Sequence, residues 1–365
     1  MVLIVSSLPA QNTVRFEIKS LPAFHPDGSN IYAAGSFNNW NPRDENYKFT
    51  TDTKGNYFLE LKLNAGSYEF KITRGGWDKV ECKKNGGGMG NRSLKIEADA
   101  AIELNIEDWQ DRFPAKPKIS SASKNVQIMA EEFWIGELMS IRRIWIYLPP
   151  DYAVSNKRYP VLYMHDGQNV FEDTSSFAGE WGVDEFLDSA SANKCIVVAV
   201  DNGGTRRMNE YCPYDMERFG KGDGNRYVDF LVKTLKPHID KRYRTIRDRS
   251  STWITGSSMG GLISMYAILK YPKVFGGAGV FSPAFWVGPK IFDDITAKGK
   301  KVKGKLYFYA GKQEGETMVP YMLKAFEKMA AVSKSKMTTV IRDEGKHNEP
   351  TWRQEFPLFY NWIIK

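Results

Sequence analysis

Cysteine and histidine are both scarce in this sequence, which holds 3 cysteines and 4 histidines among its 365 residues. Cys82, Cys195 and Cys212 form no CxxC pair and belong to no cysteine and histidine cluster with the spacing of a metal site. Three cysteines also cannot build the disulfide framework that holds many small secreted domains together. Neither a bound metal nor thiol chemistry is therefore expected.

Long apolar runs are missing as well. No stretch approaches the ~18 to 20 consecutive apolar residues that cross a bilayer, so no membrane span is predicted. The net charge is +8, but the densest basic stretch, Lys298 to Lys305, is interrupted by glycine and valine. That pattern is typical of a solvated face rather than of a nucleic-acid-binding patch. With 42% apolar and 26% charged residues, the chain should fold as a globular protein of two domains or one large one.

The first ten residues, Met1 to Ala10, are mostly apolar or small and lead into Gln11. They resemble the end of a secretory signal whose basic start is missing. On this interpretation the mature protein begins near Gln11 and is secreted or periplasmic. The alternative is an unstructured terminus, which leaves a cytoplasmic location open.

Two patterns of hydrophobicity divide the rest of the chain. Residues 12–108 contain short strands separated by turn residues, which predicts a small all-β sandwich. Residues 109–125 are rich in proline, lysine and serine and are predicted to be a linker. In residues 126–365 apolar strands alternate with helical stretches, which predicts an α/β domain with a largely parallel sheet about eight strands wide. The predicted helices are 183–192, 227–235, 261–270, 319–332 and 353–364.

A possible nucleophile follows one of these strands. Gly256-Ser-Ser-Met-Gly-Gly261 joins the predicted strand Thr252 to Thr255 to the predicted helix from Gly261. In such a G-x-S-x-G turn the glycines permit a tight, strained bend that lifts the serine hydroxyl above the sheet. The start of the helix adds a positive dipole and the N–H of Met259, which suits a developing oxyanion. Ser258 is therefore the predicted nucleophile.

A serine nucleophile needs a base, and position in the chain separates the four histidines. His25 lies in the other domain, and His238 follows a predicted helix. His165 stands in a loop after a predicted strand and is expected to shape that loop rather than to take a proton. His347 occupies a loop between the last predicted strand and the last predicted helix. His347 is the predicted base.

The base in turn needs a carboxylate that holds its tautomer. Glu314 and Glu316 both follow the predicted strand Lys305 to Ala310. Glu314 is preferred because it is nearer the end of the strand, and Glu316 remains an alternative. The resulting chain order of serine, acid and histidine is the one found in α/β-hydrolases.

Further residues at the carboxyl ends of strands are candidates for binding substrate. A second oxyanion donor should come from the backbone of Gly167 or Gln168, in the loop after another predicted strand. Trp181, Asn202 and Trp286 follow other strands or short loops on the same edge. These three could form a platform for an acyl group or a sugar, or could pack beneath the loops.

Residues 126–365 resemble the family of α/β-hydrolases that is similar to esterase D. The resemblance rests on Leu148-Pro-Pro-Asp-Tyr152, Tyr163-Met-His-Asp-Gly-Gln-Asn-Val170, the Ser258 motif, Phe281-Ser-Pro-Ala-Phe285 and His347-Asn-Glu349. The family includes feruloyl and acetylxylan esterases of carbohydrate esterase family 1 and siderophore esterases. The resemblance implies Ser258 as nucleophile and His347 as base. The position of the acid varies more across such proteins.

The N-terminal domain resembles the starch- and glycogen-binding modules of families 20 and 48, which have an immunoglobulin-like sandwich. Ile31-Tyr-Ala-Ala-Gly-Ser-Phe-Asn-Asn-Trp40, Tyr68-Glu-Phe-Lys71, Gly76-Trp77 and Gly90-Asn91-Arg92 carry the resemblance. It implies that Trp40 and Trp77 stack on glucose rings while Lys71 and Asn91 bind hydroxyl groups. The glycine-rich stretch 85–90 departs from the longer apolar loop of those modules, and such domains also serve as spacers.

These observations predict a serine esterase that releases acetyl or feruloyl groups from plant polysaccharide or oligosaccharides. No metal or organic cofactor is implied, and neither nucleic acid nor a membrane is an expected partner. One alternative is an esterase of enterobactin-type siderophore trilactones, since those enzymes also carry an N-terminal β domain. The other is a glycan-binding protein with an inactive hydrolase domain. The oligomeric state is not predicted.

Overall fold

A computed structural model describes residues 11–113, 119–176, 178–189, 194–217 and 219–365. The chain separates into two compact units, residues 1–117 and 118–365. The predicted signal remnant, Met1 to Ala10, lies outside the described residues. So do residues 114–118 of the predicted linker and residues 190–192 of the first predicted helix.

The described part of the N-terminal unit consists of β-strands and short turns. The strands are β1 (Asn12–Ser20), β2 (Tyr32–Gly35), β3 (Thr50–Thr51), β4 (Tyr57–Leu63), β5 (Gly66–Thr73), β6 (Glu81–Cys82), β7 (Arg92–Ile96), β8 (Ala100–Asn105) and β9 (Asp108–Trp109). One sheet has the order β3-β4-β1-β8 and a second the order β2-β5-β7, while β6 pairs with β9. All pairs are antiparallel except β1 with β8.

Alternating side chains build the core of this unit. Leu59, Leu61 and Leu63 of β4 are buried, whereas the residues between them are exposed. Phe16 of β1 meets Phe70 of β5 edge-on, with ring centroids 5.2 Å apart. Apolar faces of the two sheets therefore pack against each other, as the period of two in the sequence predicts for a sandwich.

The linker is shorter at both ends than the sequence suggested. Trp109, the first residue of the predicted linker, is 0% exposed and belongs to the core of the N-terminal unit. On the other side, Ser120 donates a hydrogen bond to Glu172 (2.6 Å) and the Ser123 N–H donates one to Asp184 (2.7 Å). The linker was predicted from its proline, lysine and serine content, which does not show that Trp109 at its first position is a core residue.

The C-terminal unit has a sheet that, in the described residues, contains eight strands in the order β10-β11-β13-β12-β14-β15-β16-β17. These are β10 (Val126–Ile135), β11 (Ser140–Tyr147), β12 (Val161–His165), β13 (Ile196–Val200), β14 (Thr252–Ser257), β15 (Gly277–Phe281), β16 (Lys305–Gly311) and β17 (Lys336–Arg342). The pairs of β10 with β11 and β11 with β13 are antiparallel, and the other pairs are parallel. The predicted α/β class and sheet width are confirmed.

Helices cover both faces of this sheet and enclose a separate apolar core on each side. They are α1 (Val183–Ser189), α2 (Arg207–Glu210), α3 (Gly224–Asp229), α4 (Lys236–Arg242), α5 (Met259–Lys270), α6 (Ile291–Lys298), α7 (Met318–Val332) and α8 (Glu349–Ile363). A π-helical stretch, Phe230–Leu235, joins α3 to α4. No predicted helix covers α2, α4 or α6, because each is too short for its apolar residues to show a clear helical period. Among the described residues no helix combines the length and the apolar character that a bilayer crossing requires.

Candidate active site

Ser258 lies in a strained turn between β14 and α5. Its backbone angles are φ 59° and ψ −119°, a region that side-chain-bearing residues rarely occupy. The turn passes so close to β12 that a methyl group at Gly256 would lie 2.9 Å from the His165 ring. At Gly260 the same methyl group would lie 3.3 Å from the His165 Cβ. The two glycines of the motif thus allow the bend that the sequence predicted.

The structure places the predicted oxyanion donors on two elements. Met259 is the first residue of α5, where backbone N–H groups have no partner within the helix. Gly167 and Gln168 form a 3₁₀ turn directly after β12. A side chain at Gly167 would lie 2.8 Å from the backbone of Val200, so the glycine is needed for packing against the end of β13. Which N–H serves as the second donor stays a prediction.

Glu314 holds the imidazole of His347. The His347 Nδ1 and Glu314 Oε2 atoms are 2.7 Å apart. The other carboxylate oxygen of Glu314 accepts hydrogen bonds from the Ser282 hydroxyl (2.8 Å) and from the Gly311 N–H (2.6 Å). The Glu314 side chain is 0% exposed, whereas Glu316 is exposed. The structure therefore favours Glu314 over Glu316 as the acid.

Two glycines bring the acid and the base together. Gly311 ends β16 and Gly345 lies in the loop that carries His347. A methyl group at Gly345 would lie 2.7 Å from the Gly311 Cα, so a side chain on this residue would push the loops apart. The Gln313 N–H also donates a hydrogen bond to the Gly345 carbonyl (3.0 Å). This contact was not predicted, since the two glycines are far apart in the chain and no local pattern links them.

Residues 281–284 connect Ser258 to this acid and base pair. The Ser258 N–H donates to the Phe281 carbonyl and the Ala284 N–H donates to the Ser258 carbonyl, each at 3.0 Å. Between them, the Ser282 hydroxyl donates to Glu314 and accepts a hydrogen bond from the Trp352 indole N–H (2.8 Å). Ser282 thus positions Glu314 and Trp352. The sequence indicated no such role for it beyond its place in the motif Phe281-Ser-Pro-Ala-Phe285.

Trp352 also supports the base directly. Its ring meets the His347 ring edge-on with centroids 5.1 Å apart. Trp181 stacks on Trp352 with ring centroids 5.8 Å apart and also packs against Phe281. Trp181 is 4% exposed, so it leaves no face for a substrate to contact. Trp181 is consequently part of the core behind His347, contrary to the expectation of a substrate platform.

Both polar groups of the Asn202 side chain have hydrogen-bond partners within the protein. Its side-chain amide donates a hydrogen bond to Asp166 (2.7 Å), and its side-chain oxygen accepts one from the Gly204 N–H (2.9 Å). Arg207 binds the same carboxylate with two hydrogen bonds, of 2.6 and 2.8 Å. Burial alone would raise the pKa of Asp166, but the Arg207 guanidinium beside it holds that pKa below its usual range. The structure therefore gives Asn202 a role in fixing the loop after β12 rather than in binding substrate.

His165 is a buried neutral residue. Its Nδ1 atom forms a 2.9 Å hydrogen bond with the hydroxyl of Tyr227. Burial disfavours the imidazolium and lowers the pKa of His165 to about 3. This agrees with the expectation that His165 shapes its loop and is not the catalytic base.

Acid unfolding tests the neutral state of His165. An ordinary histidine pKa is 6.5, so between pH 6.5 and about pH 3 His165 is protonated in the unfolded chain but stays neutral in the folded chain. Stability from this residue is complete above pH 6.5 and is lost as the pH falls toward 3. Between pH 7 and pH 5 the loss should be about 2 kcal/mol of unfolding free energy. Urea unfolding at the two pH values measures this loss for the wild type and for His165→Asn, whose amide can still form a hydrogen bond with Tyr227. An equal loss in both proteins would contradict the prediction.

A pocket of about 500 Å³ opens beside Ser258. Apolar side chains line much of it, including Met208, Met216, Phe219 and Trp286, and Arg207 stands among them. Trp286 is 42% exposed, so this predicted substrate contact does present an accessible ring. A larger depression of about 760 Å³ touches Pro160 and Lys305 at the opposite, amino-terminal ends of the strands, away from Ser258.

The N-terminal unit brings two of its four predicted binding residues together. The rings of Trp40 and Trp77 are neighbours, with centroids 6.3 Å apart, and Trp77 is 45% exposed. Lys71 donates a hydrogen bond to the Met89 carbonyl, and Asn91 donates one to Glu69 (3.1 Å). The tryptophans thus form a surface suited to a sugar, whereas Lys71 and Asn91 already have partners within the unit.

Comparison with known proteins identifies both units. Residues 136–359 match a family model described as "Putative esterase". The chain belongs to this esterase family. Residues 27–112 match a second model, described as "Pullulanase X25 domain", which confirms a carbohydrate-binding-like N-terminal unit. The esterase is therefore a carboxylic ester hydrolase preceded by an all-β domain.

Curated relatives of this esterase include one uncharacterised protein and two large enzymes. It is 29% identical to the protein YbbA of Bacillus subtilis over 50% of this chain and 74% of the relative. It is 34% identical to an alpha-amylase of Niallia circulans over 30% of this chain and 8% of the relative. It is 26% identical to an endo-1,4-beta-xylanase/feruloyl esterase of Xylanibacter ruminicola over 55% of this chain and 27% of the relative. The chain thus spans only a small part of the two named enzymes.

Solved structures confirm the α/β-hydrolase fold. The BES protein of Bacillus cereus aligns with a TM-score of 0.55 and 18% identity over 69% of this chain and 98% of that chain. The enterobactin esterase FES of Shigella flexneri aligns with a TM-score of 0.54 and 15% identity over 95% of this chain and 93% of that chain. At such identities the likeness concerns the fold alone.

Proposed function

We propose that this esterase removes acyl groups, feruloyl or acetyl, from plant polysaccharide or its oligosaccharides, as esterases of carbohydrate esterase family 1 do. The observation that carries the proposal is the union in one chain of an esterase unit and a pullulanase X25-like unit. Relatives named alpha-amylase and endo-1,4-beta-xylanase/feruloyl esterase support a carbohydrate substrate. A polymeric substrate also suits the secretion expected from the first ten residues.

An acyl-enzyme mechanism fits two observations, the Glu314–His347 contact and the strained turn that presents Ser258. His347, with Nδ1 held by Glu314, takes the proton of Ser258 on its other ring nitrogen as the serine oxygen attacks the ester carbonyl. The Met259 N–H and that of Gly167 or Gln168 donate to the oxyanion. The imidazolium of His347 then protonates the sugar oxygen as its bond to the acyl carbon breaks, and water hydrolyses the acyl-enzyme with His347 as base again.

The size of the pocket favours an aromatic acyl group over acetyl. A volume of about 500 Å³ is far more than an acetyl group fills. Trp286 offers an exposed ring face, and Met208 and Met216 offer adaptable sulfur-containing side chains. Aromatic rings pack favourably on both kinds of side chain. Feruloyl esters are therefore the substrates that we expect to be hydrolysed fastest.

Acid release from feruloylated xylo-oligosaccharide, methyl ferulate and acetylated xylan tests the proposal. Trp286→Ala should lower kcat/KM for both feruloyl esters roughly tenfold, because an aromatic contact is lost. The same variant should change acetate release less than twofold. An equal loss on acetyl and feruloyl esters would contradict the aromatic preference. No release from any of the three substrates would contradict the proposed function.

Glycan binding by the N-terminal unit is tested separately. Calorimetric titration with malto-oligosaccharides and xylo-oligosaccharides should detect binding by the wild type. Trp40→Ala and Trp77→Ala should each weaken it at least about tenfold, because each removes a ring that stacks on a sugar. Trp134→Ala, which removes a ring that is 54% exposed in the other unit, is the control and should bind normally. Unchanged binding by both N-terminal variants would show that the tryptophan pair is not the site.

A siderophore esterase is the second candidate function. The observation in its favour is that the enterobactin esterase FES matches over 95% of this chain, which includes the N-terminal unit. Enterobactin therefore belongs in the same substrate panel. Hydrolysis of enterobactin alone, without release of ferulate or acetate, would replace the first proposal by the second.

A further inference from the structure

Three carboxylates meet at the junction of α1 and α8, in a cluster formed by Glu180, Asp184 and Glu185. Glu180 precedes α1, and the other two lie in its first turn. One carboxylate oxygen of each residue lies within 4.8 Å of the corresponding oxygens of the other two. The cluster is separate from Ser258 and has no part in the mechanism above.

Each of these carboxylates keeps one oxygen without a partner. Arg353 of α8 binds one oxygen of Glu180 and one of Glu185, each at 3.2 Å, and the Ser123 N–H binds one oxygen of Asp184 (2.7 Å). Among the described residues, no N–H or O–H group donates to the remaining oxygens, Glu180 Oε2, Asp184 Oδ1 and Glu185 Oε2, which are buried. Burial and the neighbouring Glu185 carboxylate, which lies close enough to share a proton, raise the pKa of Glu180 and of Asp184. The side chain of Glu180 is 2% exposed and Asp184 is 0% exposed. Buried polar atoms without partners are costly, which points to a missing ligand.

The charge and the spacing of the cluster fit one divalent cation. With all three carboxylates ionised, the single guanidinium leaves a residual charge of about −2, which a divalent cation neutralises in competition with protons. Calcium binds carboxylate oxygens at about 2.3 to 2.6 Å, so oxygens less than about 5 Å apart can share one ion. Glu185 is 37% exposed, and on that side water can complete the coordination. Oxygen ligands alone exclude a preference for soft metals.

We propose that Glu180, Asp184 and Glu185 form a calcium site. Gly182 has φ 58°, and a methyl group on it would lie 2.5 Å from the Arg353 guanidinium carbon, so the loop is shaped to admit this arginine. Arg353 lies in the second turn of α8, which begins two residues after His347. The bound ion holds Glu180 to the first turn of α1, beside Arg353 of α8, and its role is to stabilise this unit of the protein.

Thermal unfolding of the full chain, stripped of metal with EDTA, tests the site. Calcium chloride at about 100 times its dissociation constant should raise the Tm of the C-terminal unit by about 5 °C, and magnesium chloride should raise it less. Calorimetric titration should give one calcium ion per chain. Asp184→Asn, which keeps an acceptor for Ser123, and Glu180→Gln should each abolish the calcium-dependent rise in Tm. Glu327→Gln, the same change at an exposed glutamate of α7, should retain it.

Two results would overturn the proposal. One is an unchanged Tm in calcium, which would mean that protons rather than a cation neutralise the cluster. The other is a full calcium response in both Asp184→Asn and Glu180→Gln, which would place the ion elsewhere. Circular dichroism of each metal-free variant shows that it folds, so that a lost response is not mistaken for unfolding.

Discussion

Replacing Ser258 by alanine is expected to lower kcat for ester hydrolysis by about 10,000-fold or more, because the attacking oxygen is removed. The remaining activity would come from the oxyanion donors and from binding alone. The strained backbone at φ 59° costs the same stability with alanine as with serine, since both residues carry a Cβ. The Tm should therefore stay within a few degrees of the wild type. Hydrolysis of a simple aryl acetate, which does not depend on the identity of the sugar, measures the effect.

Ser257→Ala provides the matched control, because this serine is adjacent to Ser258 in the same motif and is buried at the end of β14. Its loss should leave kcat within a few fold of the wild type. Substantial activity in Ser258→Ala together with a large loss in Ser257→Ala would show that the nucleophile had been assigned to the wrong residue.

Glu314→Gln is expected to lower kcat by roughly 1,000- to 10,000-fold. Glutamine can still accept the hydrogen bonds of Ser282 and the Gly311 N–H, but its amide nitrogen would then face His347 Nδ1 and donate to it. The imidazole would be held in the tautomer whose outer nitrogen carries a proton and cannot accept one from Ser258. The substitution is nearly isosteric, so the position of the loop should be preserved.

Glu316→Gln separates the two acids that the sequence left open. Glu316 is exposed, and its variant should keep near-normal kcat and Tm. Because the Glu314 variant should change kcat without a comparable change in KM, the comparison also distinguishes a catalytic loss from a loss of binding. Equal activities for the two variants would remove Glu314 from the mechanism.

The sequence by itself determined the fold class of both units and the turn that carries Ser258. The strands of the sandwich and of the large sheet are readable because their period is local and each spans only a few residues. The nucleophile turn is equally local, since Gly256, Ser258 and Gly260 are contiguous with the strand and helix that they join. His347 was found by position and by elimination, which a chain with 4 histidines permits.

Only the tertiary structure decided which residues meet across long distances in the chain. Glu314 and His347 are 33 residues apart, and their contact depends on two loops that touch through Gly311 and Gly345. For Trp181 the sequence left a substrate platform and packing beneath the loops both open, and only the structure shows that this ring is buried against Trp352.

The carboxylate cluster illustrates the same limit. Glu180 and Arg353 are 173 residues apart, and the absence of cysteine and histidine clusters in the sequence says nothing about carboxylates that meet only in the fold. Local patterns specify helices, strands and turns because their interactions lie within a few residues. The partners of a buried charge are set by how those elements pack, which no local pattern encodes.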